Sequence, residues 1–372
     1  MISMPTIVLF FQENGLSMME IFVLQSVFSA MIVLCEIPSG YFADRVGRRS
    51  SLVIGCCGAF IAFGFYSFAY GFWLIFIAEV VLGIGYAFVS GADSAILYDT
   101  LTELDQTDTY KKHEGRMIAI STFSEGIASI AAGFVALISL RSPIVAQAIV
   151  TFFTIPLALS LREPLRHMGS PEQALWNMRT IVMHTLHRHS ILKWLIINYA
   201  IISTLGLIVV WFRQPYLQEL NIPLEYFGFI WAGLMFVVSI ASLLADAFER
   251  YVGRSVAFAS LLVLTLLGFS MLGVSISFVG IVGMAVLAFM RGLQEPIMKD
   301  YVQRYVSADI RATVLSIKGF AARGLFVILG PLAGWVSDVY TLQFALIACG
   351  CFALVLGLSS LLMLRRYESQ VA

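Results

Sequence analysis

The stretch Gly40-Tyr41-Phe42-Ala43-Asp44-Arg45-Val46-Gly47-Arg48-Arg49 separates two long apolar segments. We call this stretch the motif loop. Gly40 is expected to let two helices approach closely, and Gly47 is expected to allow a tight turn. Asp44 is an anion that can cap the positive amino end of a neighbouring helix. The three arginines of the loop favour the cytoplasmic membrane surface.

The composition around this loop is that of a membrane protein. The chain has 372 residues, of which 59% are hydrophobic and only 12% are charged, and its mean hydropathy is +0.89. Soluble domains carry about 25% charged residues. We therefore expect an all-α polytopic protein embedded in the lipid bilayer. The net charge is zero, which argues against a nucleic-acid partner.

Apolar segments long enough to cross about 30 Å of hydrocarbon recur with short loops between them. A first apolar piece, from Pro5 to Phe11, is too short to cross. The complete predicted helices number eleven and cover residues 18–42, 50–70, 72–98, 116–139, 143–161, 194–215, 223–246, 255–275, 277–298, 312–336 and 341–363.

Lysine and arginine predict the orientation, because they concentrate in cytoplasmic loops. The loops that carry them alternate along the chain, and Arg141 is the clear exception. We expect these loops and the carboxyl terminus to be cytoplasmic in a multi-pass protein of the plasma (inner) membrane. The basic residues on that side are Arg45, Arg48, Arg49, Lys111, Lys112, Arg116, Arg162, Arg166, Arg179, Arg188, Lys193, Arg250, Arg254, Lys299, Arg304, Arg311, Arg365 and Arg366.

The motif loop resembles the loop between the second and third helices of major facilitator superfamily transporters, whose pattern is G-x-x-x-D-R-x-G-R-R/K. A weaker copy of it occurs at Ala245–Arg254, which we call the echo segment. The resemblance implies two pseudo-symmetric six-helix bundles. We assign residues 1–162 to the first bundle, 163–192 to a cytoplasmic linker and 193–372 to the second bundle, with helices 7 to 12.

In this family's helix order the segment 18–42 is the second helix. The first helix is then represented only by about Met1 to Gln12, so that it is truncated at the amino terminus. We expect a stretch of about 20 to 30 residues to be missing, as a full span needs about 20. The alternative is that half of this helix is absent from the protein.

The resemblance also implies a conformational gate at the motif loop. We expect Asp44 to cap the helix that begins near Arg311, and Asp99 to pair with Arg45 or Arg48. Separation of these contacts would open the cytoplasmic side. The predicted gate residues are Gly40, Asp44, Arg45, Gly47, Arg48, Arg49 and Asp99.

Charges inside a membrane are costly and usually face a cavity or a partner. The candidates for substrate binding or proton coupling are Glu125, Arg323, Asp93, Arg291, Glu295, Lys318 and Arg213. We expect Glu125 and Arg323 near the membrane midplane, with Glu125 the first choice for a buried carboxylate that exchanges a proton. The alternative for Arg291 and Glu295 is a structural i,i+4 pair. The segment from Trp211 to Gln218 is either an extracytoplasmic lip that contacts substrate or a set of interface anchors.

We expect a secondary transporter that moves a small molecule by alternating access, most simply as a monomer. Efflux of an amphiphilic or drug-like compound, with proton coupling left open, is favoured by the aromatic and apolar interior. However, Glu79 occupies the helix-4 position where drug antiporters of this family usually carry arginine. Uptake of a small anionic metabolite, or a transporter-like sensor or assembly protein without transport, are the alternatives. The sequence contains no pattern that predicts an enzyme, a cofactor or a metal site.

Overall fold

The computed structural model describes residues 1–164, 190–306 and 311–371. In chain order the helices are α1 Ile7–Glu13, α2 Met18–Arg45, α3 Arg48–Phe68, α4 Phe72–Val89, α5 Ala92–Glu103, α6 Tyr110–Val135, α7 Ser142–Ser160, α8 Ser190–Glu219, α9 Glu225–Val252, α10 Arg254–Val274, α11 Phe278–Tyr305, α12 Arg311–Val339, α13 Leu342–Phe352 and α14 Leu358–Val371. A 3₁₀ turn, Thr107–Thr109, precedes α6, and a π-helical turn, Ala353–Gly357, joins α13 to α14.

The described residues contain 11 helical segments long and apolar enough to cross a membrane. This confirms the predicted all-α polytopic fold, and the seven-residue α1 is not among the 11. One predicted helix, 72–98, is wrong in detail. Gly91, with φ +82°, separates α4 from α5. Helical structure then continues to Glu103, so the predicted loop 99–116 shrinks to residues 104–109.

The chain divides into two compact units. Unit 1 comprises Met1–Pro171 and Pro223–Ala232, and unit 2 comprises Glu172–Ile222 and Gly233–Ala372. The first residues of α9 thus group with unit 1, whereas the sequence placed all of 193–372 in the second bundle. The predicted linker 163–192 lies almost wholly outside the described residues.

The start of α2 follows directly from its first residues. The Ser17 hydroxyl accepts a hydrogen bond from the Glu20 N–H at 3.2 Å, and the Glu20 carboxylate accepts one from the Ser17 N–H at 2.8 Å. This reciprocal capping box satisfies two N–H groups that have no partner within the helix. Membrane helices need such caps because unpaired backbone groups are costly in lipid.

Small residues bring the helices of each unit together. A Cβ at Gly83 of α4 would lie 2.8 Å from the Met31 Cβ of α2, and one at Gly85 would lie 3.1 Å from the Gly55 carbonyl oxygen of α3. In unit 2, Gly268 of α10 and Gly283 of α11 approach equally closely. Close backbone approach supplies the dispersion contacts that hold membrane helices together.

Arg141, the exception to the charge pattern, has a structural explanation. Its guanidinium donates to the carbonyl oxygens of Ser67 at 2.8 Å and Ala69 at 2.9 Å, at the end of α3. It also lies 4.5 Å from the centre of the Tyr70 ring. A cation at the carboxyl end of a helix satisfies open carbonyls and complements the helix dipole. Arg141 therefore caps the carboxyl end of α3.

Candidate functional site

The motif loop is mostly helical. The helix α2 runs through to Arg45, and only Val46 and Gly47 separate it from α3. Gly47 has φ +149°, a conformation that side chains rarely adopt, which confirms the predicted tight turn. The expectation for Gly40 is wrong. It is exposed on α2, and a Cβ there would meet no atom of the described residues within 4 Å.

Arg48, the first residue of α3, connects three helices of unit 1. It forms ion pairs with Asp44 of α2 at 2.7 Å and with Asp99 of α5 at 3.5 Å. The Arg48 and Asp99 side chains are only 21% and 25% exposed. Asp99 therefore pairs with Arg48, one of its two predicted partners. The Arg45 guanidinium instead lies 5.6 Å from the centre of the Tyr41 ring. Capping of a helix near Arg311 by Asp44 stays a prediction.

A carboxylate that the sequence reasoning missed caps α3. The two oxygens of Glu163 accept the backbone N–H groups of Arg48 and Arg49, each at 2.8 Å. The Arg49 side chain donates to the Leu159 carbonyl oxygen near the end of α7. An anion at the first N–H groups of a helix is favourable. No local pattern could reveal this cap, because Glu163 lies more than 100 residues away in the chain.

The echo segment repeats the main contact of the motif loop in unit 2. Arg254, the first residue of α10, pairs with Asp300 of α11 at 3.4 Å and with Glu249 of α9 at 2.9 Å. Gly253 precedes it with φ +82°. A polar cavity of about 490 Å³ lies beside this turn, and Arg250 and Pro296 also line it. The internal repeat predicted from sequence thus has a structural counterpart.

The helices of unit 2 bring two candidate charges together. The Lys318 ammonium lies 2.7 Å from the Glu295 carboxylate, and it lies 4.3 Å from the centre of the Tyr199 ring. The Tyr199 hydroxyl donates to the other oxygen of Glu295. Lys318 is 5% exposed, whereas the Glu295 side chain is 49% exposed. Glu295 is thus held by α8 and α12, beyond any pairing with Arg291 on its own helix.

Three further candidates of unit 2 are arginines in different surroundings. Arg213 of α8 is 3% exposed. Arg291 is exposed, and Arg323 of α12 is half-buried. Side chains around Arg213 are also buried, among them Trp211 at 7% and Tyr216 at 0% exposure. These positions do not fit interface anchors, so that alternative is wrong for them.

The candidates of unit 1 are partly exposed. Glu125 of α6 has a side chain that is 33% exposed, and its role in proton exchange stays a prediction. Asp93 lies in the first turn of α5, where its carboxylate accepts the Ser94 N–H at 2.7 Å. The fully buried carboxylate of this unit is Glu79 of α4, which is 2% exposed and accepts a hydrogen bond from the Gln25 amide.

The position of Glu125 along its helix does not decide how deeply its side chain is buried. Depth indicates how far a residue lies from the helix end, but it does not show which way the side chain points. No described group of three or more His, Cys, Asp or Glu side chains could hold a metal ion.

Helices that cross a bilayer, a turn repeated in two units and charged side chains inside the spans define a polytopic membrane protein of the transporter class. A family model described as Major Facilitator Superfamily matches residues 1–320. The chain therefore belongs to the Major Facilitator Superfamily, as its motif loop indicated. Among curated proteins, it is similar to the class C tetracycline resistance protein of Escherichia coli, with 27% identity over 127 residues. That match covers 34% of this chain and 31% of the relative, so the chain aligns with only about a third of that relative's length.

Solved structures share the fold across nearly the whole chain. A mutant of the nucleoside transporter NupG has a TM-score of 0.83 at 15% identity, covering 97% of this chain and 94% of that one. A bacterial homologue of the lysosomal transporter Spinster has a TM-score of 0.78 at 15% identity, covering 99% and 94%. A D-xylose–proton symporter has a TM-score of 0.74 at 15% identity, covering 97% and 92%. At this identity the likeness shows the fold and not the substrate.

Proposed function

We propose that this protein is a secondary transporter that exports an amphiphilic or drug-like compound by alternating access. The observation that carries the proposal is an arginine–aspartate ion pair that joins neighbouring helices in each unit. Arg48 pairs with Asp99 in unit 1, and Arg254 pairs with Asp300 in unit 2. Alternating access needs halves that move as bodies without losing their own packing. A separate arginine–aspartate pair in each unit would hold the helices of that unit together while the unit moves.

The motif loop is proposed to act as the gate. Its Asp44 side chain is 63% exposed, so this carboxylate is accessible for a second contact. In one state of the cycle it caps the helix that begins near Arg311, and the contact breaks in the other state. We propose that the protein lies in the inner membrane as a monomer. Its motif loop and carboxyl terminus would then face the cytoplasm.

Export of an amphiphile is supported by composition and by one partial relative. The chain is 13% aromatic, and apolar compounds bind well to aromatic surfaces. The partial match to a tetracycline resistance protein points the same way. Exchange against protons would supply the energy, through a carboxyl group inside the spans.

The test is tetracycline transport in everted vesicles from cells that lack their own drug pumps. We expect accumulation that depends on an imposed proton gradient and that Asp44→Asn strongly reduces. Glu20→Gln, in the same helix but at its other end, is the matched control and should transport normally. Full accumulation by Asp44→Asn would exclude the gate, and a lack of gradient-driven transport of tetracycline and of ethidium would exclude drug export.

Uptake of a small anion is the second candidate, favoured by the basic side chains Arg291, Lys318 and Arg323 of unit 2. Guanidinium and ammonium groups bind carboxylates and phosphates through charge-assisted hydrogen bonds. The test uses Arg291→Cys in a background without native cysteines. Protection of this cysteine from a maleimide by a small carboxylate or phosphate, but not by tetracycline, would favour uptake over export.

A further inference from the structure

Glu79 is the most deeply buried carboxylate among the described residues of unit 1, and it is not part of the proposed gate. It lies within the membrane-spanning segment Phe72–Glu103 and is 2% exposed. It forms no ion pair with any described residue. An ionised carboxylate in such a place is costly unless a cation compensates it.

The groups that face Glu79 come from the two helices packed against α4. Gln25 of α2, 5% exposed, donates its amide N–H to one carboxylate oxygen. Tyr66 of α3, 0% exposed, directs its hydroxyl toward the same carboxylate. Tyr66 is the titratable neighbour, and no charged side chain of the described residues acts on Glu79. The carboxylate is therefore enclosed by neutral groups alone.

The Tyr66 hydroxyl makes no well-formed hydrogen bond to any described residue, although it is completely buried. Buried hydroxyl groups are rarely left in this way. A phenol can donate to a carboxylate or accept from a protonated carboxyl group. An amide can likewise present N–H or C=O, so Gln25 and Tyr66 can satisfy Glu79 with or without its proton.

We propose that Glu79 is a proton-binding group of unit 1 and that Gln25 and Tyr66 are its positioning residues. This inference rests on the proposed secondary transport, for which it names the coupling group. A proton fits this site better than Ca²⁺ or Mg²⁺, because those cations take six or more oxygen ligands. The site offers the carboxylate, one phenol oxygen and an amide that already donates its N–H.

The experiment labels the full-length protein in lipid nanodiscs with dicyclohexylcarbodiimide, which reacts with protonated carboxyl groups in apolar surroundings. Peptide mass analysis then locates the label between about pH 5 and about pH 9, a range that lies above the usual glutamate pKa of about 4.3. We expect label on Glu79 that is lost as the pH rises, and its absence in Glu79→Gln. Glu295, held by Lys318 at 2.7 Å, is the internal control and should stay unlabelled.

No label on Glu79 at any pH, or equal label at every pH, would overturn the proposal. Because labelling needs no substrate, it is independent of the vesicle assay with tetracycline. Tyr66→Phe should still be labelled, but its loss of label should occur at a different pH. If the unmutated protein is labelled as expected but transports no tetracycline, the proposed drug export is contradicted and the proposed proton-binding site is supported. If Glu79→Gln keeps full gradient-driven transport, the coupling role is overturned.

Discussion

In the motif loop and in the echo segment alike, a glycine with positive φ precedes a helix whose first residue is arginine. In unit 1 these are Gly47 and Arg48, and in unit 2 they are Gly253 and Arg254. Each arginine pairs with an aspartate of the next membrane span, at 3.5 Å in unit 1 and 3.4 Å in unit 2. The shared geometry is therefore a glycine turn and an arginine brace.

The two regions differ in what surrounds the brace. In unit 1 the Glu163 carboxylate also caps the new helix, whereas no described side chain accepts from the first N–H groups of α10. Arg48 is 21% exposed, and Arg254 is 38% exposed beside a polar cavity of about 490 Å³. The glycine turn is therefore common to both units, whereas the additional carboxylate cap and the more buried arginine occur in unit 1.

The largest difference is expected from removing the two arginines. Arg48→Ala leaves Asp99, whose side chain is 25% exposed, without its ion pair, and should cost about 3 kcal/mol, because a desolvated charge loses its partner. Arg254→Ala removes the ion pairs with Asp300, which is 38% exposed, and Glu249, which is 15% exposed. The Arg254 side chain is itself 38% exposed, so solvent weakens both pairs and the loss should be about 1 kcal/mol. Thermal unfolding in detergent, followed by tryptophan fluorescence, measures both. Arg48→Lys is the control, because it keeps the positive charge but lacks the guanidinium group. Equal losses of stability for the two alanine variants would show that the arginine contributes equally in both units.

The turn glycines should behave alike in both units. Gly47→Ala and Gly253→Ala each place a side chain at positive φ with ψ near 150°, where only glycine is comfortable. Each should lower stability by about 2 kcal/mol. The same unfolding measurement tests this, with Gly40→Ala as the control, because Gly40 is helical and has open space around it. A large loss for one glycine alone would show that the turns are not equivalent.

Removing the Glu163 cap of α3 tests whether this carboxylate adds stability to the turn of unit 1. Glu163→Gln keeps an oxygen that can accept one N–H but loses the charge and the second bond. We expect a loss of about 1 kcal/mol, smaller at high salt, because screening weakens the charge contribution. Unfolding at low and high salt measures it. Glu20→Gln at the start of α2 is a matched cap variant, and an unchanged midpoint for Glu163→Gln would mean that the cap contributes nothing.

The smallest effect is expected at Arg250 of the echo segment. Its ion pair with Asp246 spans 2.8 Å, but the two side chains are 74% and 80% exposed. Such i,i+4 surface pairs contribute about 0.3 to 0.5 kcal/mol. Arg250→Ala should therefore shift the unfolding midpoint barely above error. A loss as large as that of Arg48→Ala would show that the echo segment is fastened through this residue.

Much of the fold was predictable, because length and hydropathy decide which segments can cross a bilayer. The predicted spans agree with the helices within a few residues at most ends. The break at Gly91 was missed, since a single glycine within an apolar run does not by itself indicate a left-handed turn. The family resemblance predicted that Asp99 pairs with Arg45 or Arg48, whereas Lys318 and Glu295 were separate candidates whose pairing was not predicted.

The order of the amino acids was sufficient for the number of spans, the glycine turn and the family, because these depend on hydropathy and on local backbone preferences. Tertiary packing decided which carboxylate of unit 1 is buried: Glu79 between Gln25 and Tyr66, and not Glu125. It also brought Glu163 to the start of α3 and Tyr199 to Glu295. The reason is physical: burial and pairing depend on the rotation of each helix about its axis and on the neighbours that this rotation selects.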